Sequence, residues 1–126
     1  MHRVLISLAS NHQQEIHLSE ARRALAEVIL SAVYTDAIWT KPEGKHKAQS
    51  PDYLNQLVSA ETALTADELN HKLKELELAL GRTAEMRSQG LVPIDLDLLQ
   101  WDSDRYHQRD WTRSYVTRLL PSVSSL

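Results

Sequence analysis

The segment from Tyr53 to Gly81 constrains the fold more than any other, because its ends are marked on both sides. Tyr53 to Thr62 alternates as a strand does. Thr65-Ala66-Asp67-Glu68 then forms a capping box, with Thr65 as N-cap and Glu68 closing back on it. Leu69, Leu73, Leu76 and Leu80 recur on one helical face, and Gly81 stands where a C′ glycine ends a helix. A strand leading at once into an amphipathic helix requires a sheet for that helix to pack on.

The flanking segments supply that sheet. Val4 to Leu8 is a short apolar run that reads as a buried strand. Ser10-Asn11 gives a turn and a cap before a helix predicted from about Gln13 to Glu27, with Leu18, Ala21, Leu25 and Val28 on its buried face. Ile29 to Thr35 is β-rich and reads as a second strand. Residues 37–52 hold Pro, Gly and three Lys without periodicity, so they are either a functional loop or a surface insert. Residues 82–93 are predicted as a second loop, Ile94 to Trp101 as a strand, and Asp110 to Leu120 as a last helix before a polar tail. The order β-α-β-β-α-β is that of the ferredoxin-like split βαβ unit. The expected class is α+β, an antiparallel sheet with helices packed on one face.

A chain of 126 residues makes one domain with one hydrophobic core. It has no Cys, which excludes disulfides and thiolate metal sites. A net charge of −3 argues against general nucleic-acid affinity, so any anion site must be built locally from Arg and His. An RNA-binding ferredoxin-like module would need stacking aromatics, yet there is no Phe and the first strand has no aromatic residue. No apolar run is long enough to span a membrane, and the N-terminus lacks signal-peptide organisation. A cytoplasmic location is expected.

Pro93 to Leu99 carries the chemistry. Period-two geometry sends Ile94, Leu96 and Leu98 to one face, and Asp95 and Asp97 together to the other. Two like charges on one strand face repel, and a divalent cation with a taste for oxygen, such as Mg²⁺, would reverse that penalty. The plainer reading is a half-exposed strand with two Asp on its polar face. Arg82, Arg87, His107 and Arg113 lie on both sides of this strand, and Arg forks suit phosphate oxygens. Tyr53 and Asn55 share a strand face, an aromatic plane beside an amide that donates and accepts. Taken singly, each of these residues also fits an ordinary surface or packing role.

Taken together, the residues resemble the 6-hydroxymethyl-7,8-dihydropterin pyrophosphokinase family. The likeness rests on Ser10-Asn11, Pro51-Asp52-Tyr53-Leu54-Asn55, Glu77 through Gly81-Arg82, Ile94 through Leu99, His107 with Arg113, Tyr115-Val116 and Leu119-Leu120-Pro121. It implies a single pyrophosphokinase-like domain over residues 1–126 that moves pyrophosphate from ATP to the pterin hydroxymethyl group and releases AMP. Asp95 and Asp97 would hold two Mg²⁺ ions, with Asp97 the candidate base and Arg82 counted in the catalytic set. Arg82, Arg87, His107 and Arg113 would contact ATP; Tyr53, Asn55 and Tyr115 would hold the pterin. The loops at 37–52 and 82–93 would close over the substrates, in a monomer or weak homodimer.

The chain departs from the family in one region. Ala84 stands where a second Arg is usual, and Ser88 to Val92 replaces Arg-Trp-Gly-Pro-Arg. Arg87 is the shifted substitute for an Arg, and Trp39 or Trp101 the substitute cover for the ring. Ala9 replaces a Gly, which matters only if that position needs positive φ. Losing one electrostatic donor can cost roughly 10²–10³ in rate, so the second reading is a weak or inactive relative that binds pterin or nucleotide.

Overall fold

The computed structural model describes residues 1–42 and 51–123; half of the 37–52 segment and the end of the tail lie outside them. In chain order the elements are β1 (His2–Ser10), α1 (Gln14–Leu25), β2 (Leu30–Tyr34), β3 (Ile38–Thr40), β4 (Tyr53–Thr62), α2 (Ala66–Ala79), α3 (Ala84–Ser88), β5 (Asp95–Trp101), β6 (Asp104–Arg105) and α4 (Ser114–Leu119). Short 3₁₀ turns, Gln108–Thr112 and Leu120–Ser122, flank α4.

The sheet runs β2-β4-β1-β5-β6, with every pair antiparallel and β3 added along β4. β4 is thus inserted between β1 and β2, as the split βαβ order requires. β1 is central, and Val4 through Ser10 are all buried. Its alternation divides the molecule. Val4, Ile6 and Leu8 face a cluster with Leu18, Ala21, Leu25, Leu69 and Leu73 of the two long helices. Leu5 faces a second cluster with Leu57, Leu99, Val116, Leu119 and Val123. The expectation of helices on one face therefore holds for α1 and α2, while α4 covers the opposite face. Its Val116 and Leu119 pack there on Leu5, Leu57 and Leu99.

The capping box and the glycine stop are both present. Thr65 Oγ1 accepts from Glu68 N at 3.1 Å, and Glu68 Oε1 accepts from Thr65 N at 2.9 Å. Gly81 adopts φ +106°, where only glycine is comfortable. This turns the chain back on the helix, so that Gly81 N donates to Leu78 O and Arg82 N to Glu77 O.

Several predictions from sequence needed correction. Ser10-Asn11 does not cap α1; the N-cap position is Gln13, at φ 45° and with no side-chain cap. Asn11 instead ties down the approach to β5, donating from Nδ2 to Gly90 O and accepting at Oδ1 from Val92 N. The loop expected from residue 37 begins with β3, because Ile38 to Thr40 pair with Asn55 to Tyr53. The 82–93 loop contains α3, capped by Thr83 Oγ1 accepting from Met86 N. The last predicted helix is broken at Arg113, whose extended backbone (φ −67°, ψ 144°) separates the 3₁₀ turn from α4. Ala9 lies in regular strand pairing and has no positive φ, so glycine is not required there.

Thr65→Ala and Gly81→Ala are each expected to lower stability by about 1 kcal/mol, through a lost cap and a strained backbone respectively. Leu57→Ala, beneath the second cluster, is expected to cost about 2–5 kcal/mol. Urea unfolding of the three variants against wild type measures this order.

Candidate active site

The candidate residues gather on the sheet face that α1 and α2 leave uncovered. Cross-strand pairing sets two rows on that face. Asn55, Ala9 and Asp95 form one, and Leu57, Ser7 and Asp97 the other. The two central members are small, so Asn55 and Asp95 face each other across an open floor. On β3, Ile38 extends the Asn55 row outward and Thr40 lies beside Tyr53. α4 closes the far wall by placing Tyr115 over the floor, where its hydroxyl meets Ser7 Oγ at 3.2 Å. The result is a cleft of about 290 Å³ lined by Tyr53, Asn55, Asp95, Asp97, Arg113 and Tyr115, among others. That volume sits at the low end for small-ligand pockets.

Asn55 is almost wholly buried and its amide nitrogen is held by Thr40 Oγ1 at 2.8 Å and by Ile38 O at 3.2 Å. Held this way, β3 fixes its orientation before any ligand arrives. Burial raises the phenol pKa of Tyr53, and the negative charge of Asp95 adds to the effect. Burial likewise raises that of Tyr115. Both rings enter the cleft as neutral, apolar surfaces. Trp39 and Trp101 do not. Trp39 pairs with Leu54 on the other sheet face, and a bulge after Leu98 turns Trp101 the same way, with its indole N–H on Leu64 O.

At one end of the cleft the carboxylates of Glu77, Asp95 and Asp97 converge, with ligand oxygens within 4.8 Å of one another. Glu77 was not singled out from sequence. The signal was there: it continues the Leu69–Leu73 row by one more i+4 step, where an apolar residue belongs. It is 5% exposed and fully engaged. Glu77 Oε2 accepts from Leu96 N at 2.7 Å and from Lys74 Nζ at 3.1 Å, and Oε1 pairs with Arg82 Nη1 at 3.1 Å. Asp95 and Asp97 use only Oδ1, toward Arg82 at 3.2 Å and Lys74 at 3.4 Å. Their Oδ2 atoms have no hydrogen-bond partner among the described residues. These two are the atoms available to a hard divalent cation, while Glu77 orients the strand that carries them.

The cations fall into three groups. Arg82 is drawn inward by the turn at Gly81 and bridges Glu77 and Asp95. His107 sits at φ 53° with Nε2 3.9 Å from Asp97 Oδ1, and Arg113 lines the cleft with Nε on Asp110 at 2.8 Å. Arg87 is different. It is exposed on α3, and its side chain forms no ion pair among the described residues. His107 also borders a smaller cavity of about 170 Å³, with Ala66, Asp67, Asn70, Leu98 and Tyr106. This second cavity adjoins the carboxylates through His107 and was not foreseen from sequence.

Burial and the neighbouring charge of Asp95 push the Asp97 carboxyl up to about 6, against the opposing pull of Lys74 and His107. Lys74 is pulled both ways, burial lowering its pKa while Glu77 and Asp97 raise it, and the carboxylates win.

Comparison with known proteins is decisive at this point. A family model described as 7,8-dihydro-6-hydroxymethylpterin-pyrophosphokinase matches residues 5–125. The chain belongs to this family. Among curated relatives it resembles a folate synthesis bifunctional protein of Arabidopsis thaliana, 30% identical over 132 residues, covering 98% of this chain and 27% of the relative. A mitochondrial folate synthesis bifunctional protein of Pisum sativum is 31% identical over 123 residues, covering 90% and 23%. The chain spans about a quarter of the length of these relatives.

Because its pKa lies above the ordinary carboxyl value of 3.8, ionised Asp97 destabilises the metal-free fold. That cost is absent below about pH 4, grows as pH rises, and is complete above about pH 6. Asp97→Asn is therefore expected to stabilise the metal-free protein by roughly 1–2 kcal/mol at pH 7.5 and not at pH 4, read from thermal unfolding at both pH values.

Proposed function

We propose that the chain is an ATP- and Mg²⁺-dependent pyrophosphokinase that acts on 6-hydroxymethyl-7,8-dihydropterin in folate synthesis. The observation that carries this reading is the meeting of Asp95 and Asp97 with Tyr53, Asn55 and Tyr115 in one cleft. The protein would work as a single domain over residues 1–126, a monomer or weak homodimer in the cytoplasm.

The pterin lies in the larger cleft, its ring against Tyr53 and Tyr115 and its polar edge on Asn55. The nucleotide base takes the smaller cavity beside His107, and the polyphosphate runs along β5 from there. Arg82, His107 and Arg113 neutralise its oxygens, as phosphoryl transfer requires. Two Mg²⁺ ions, held by Asp95 and Asp97, supply further charge neutralisation when bound. The hydroxymethyl oxygen attacks the β-phosphorus, the bond from that phosphorus to the α-phosphate oxygen breaks, and AMP leaves. The hydroxyl proton passes to the Asp97 carboxylate.

A second reading is supported by Arg87, which makes no contact with the carboxylates, and by Ala84. It is a relative that binds these ligands and turns them over slowly or not at all. AMP release from ATP, Mg²⁺ and hydroxymethyldihydropterin separates the two. The enzyme reading expects AMP from wild type and a loss of at least 10² with Asp95→Ala or Asp97→Ala. Ligand binding without AMP supports the second reading, on which Ala84→Arg is expected to restore turnover.

A further inference from the structure

Counting charge at the carboxylate cluster shows that it is not an empty acidic site. Three carboxylates converge, and two cations are already inserted among them. Arg82 bridges Glu77 and Asp95 from one side. Lys74 Nζ bridges Glu77 Oε2 and Asp97 Oδ1 from the other, at 3.1 and 3.4 Å, and also donates to Leu96 O at 3.1 Å. An ammonium held between two carboxylate oxygens puts a positive charge inside the cluster, on the same Asp97 carboxylate whose other oxygen is open to a cation. Lys74 reaches that position from α2 because residues 74 and 77 are three apart on one helix face, and Glu77 is fastened to β5. All three donor contacts of the ammonium go to the cluster or to the strand that carries it.

We propose that Lys74 is a resident counter-ion, which keeps Asp95 and Asp97 from taking up divalent metal until a polyphosphate draws its ammonium away. This rests on the reading of Asp95 and Asp97 as metal ligands and adds a role for a residue of α2, outside the strand that carries them. A fixed positive charge within contact of Asp97 opposes a divalent cation directly. A polyphosphate brings several negative oxygens to the same place and offers the flexible lysine a stronger partner, so metal and nucleotide enter together. Lys74 is a positioning residue on this account, since its first effect is on the order and strength of metal binding.

Mn²⁺ binding, followed by calorimetry and electron paramagnetic resonance, tests the proposal on wild type, Lys74→Gln and Lys74→Arg, each alone and with α,β-methylene-ATP. Without nucleotide, Lys74→Gln is expected to bind Mn²⁺ at least tenfold more tightly than wild type, and Lys74→Arg to bind as weakly as wild type. With the analogue, wild type is expected to gain more affinity than Lys74→Gln, so that the gap narrows. Lys74 is 43% exposed, so both substitutions are expected to fold, and thermal unfolding verifies that. Equal Mn²⁺ affinity of wild type and Lys74→Gln without nucleotide overturns the counter-ion role while leaving the metal site standing. Absence of Mn²⁺ binding in every protein, with and without the analogue, removes the metal reading and this inference with it.

Discussion

A carboxylate at the end of a leucine row holds this molecule's chemistry in place. Glu77 is buried, and a buried charge is tolerated only when its hydrogen bonds and counter-charges are supplied. It receives the Leu96 amide, the Lys74 ammonium and the Arg82 guanidinium. The first bond joins α2 to β5, and the other two bring cations to the aspartates. Arg82 arrives only because Gly81 permits the left-handed turn that reverses the chain over the helix end. Remove the carboxylate, and the helix end, the turn and the strand that carries the aspartates lose their common partner.

The floor of the cleft depends on a different constraint, the size of two side chains on the central strand. Ala9 lies between Asn55 of β4 and Asp95 of β5, and Ser7 between Leu57 and Asp97. Larger residues there would fill the space between Asn55 and Asp95. The opposite wall comes from the C-terminal region, and its 3₁₀ turn has several duties. Residues Gln108–Thr112 are flanked by His107, which borders the smaller cavity, and by Arg113, which borders the larger one. Inside the turn, Trp111 is held by its indole N–H on Tyr106 O and by Arg105, 4.0 Å from its ring. Packing at this turn therefore sets the spacing of two basic side chains that line the cavities.

Much of this could be read from the chain because it follows local rules. Alternation placed Asp95 and Asp97 on the face opposite Ile94, Leu96 and Leu98, and the structure has them there. The capping box and Gly81 marked α2 at both ends. Features missed were set by partners far along the chain. Asn11 has the look of a helix cap, yet its bonds go to Gly90 and Val92. β3 is too short to show a period and exists because β4 has backbone to pair with it. Trp101 faces the helices only because the β1–β5 register shifts between Leu5 and Ile6. The role of Glu77 and Lys74 shows only when β5 is laid beside them, through the bonds at Leu96.

The bonds at Leu96 have a consequence for how the molecule behaves in company. β6 pairs only with Gln100 and Trp101, so β5 runs along the sheet margin through the aspartate segment. At Leu96 the outward N–H and C=O are both taken, by Glu77 and by Lys74. A foreign strand approaching that margin finds no free ladder groups at its midpoint and meets an ammonium instead. The same two side chains that hold the aspartate strand to α2 thus also cover part of its open edge.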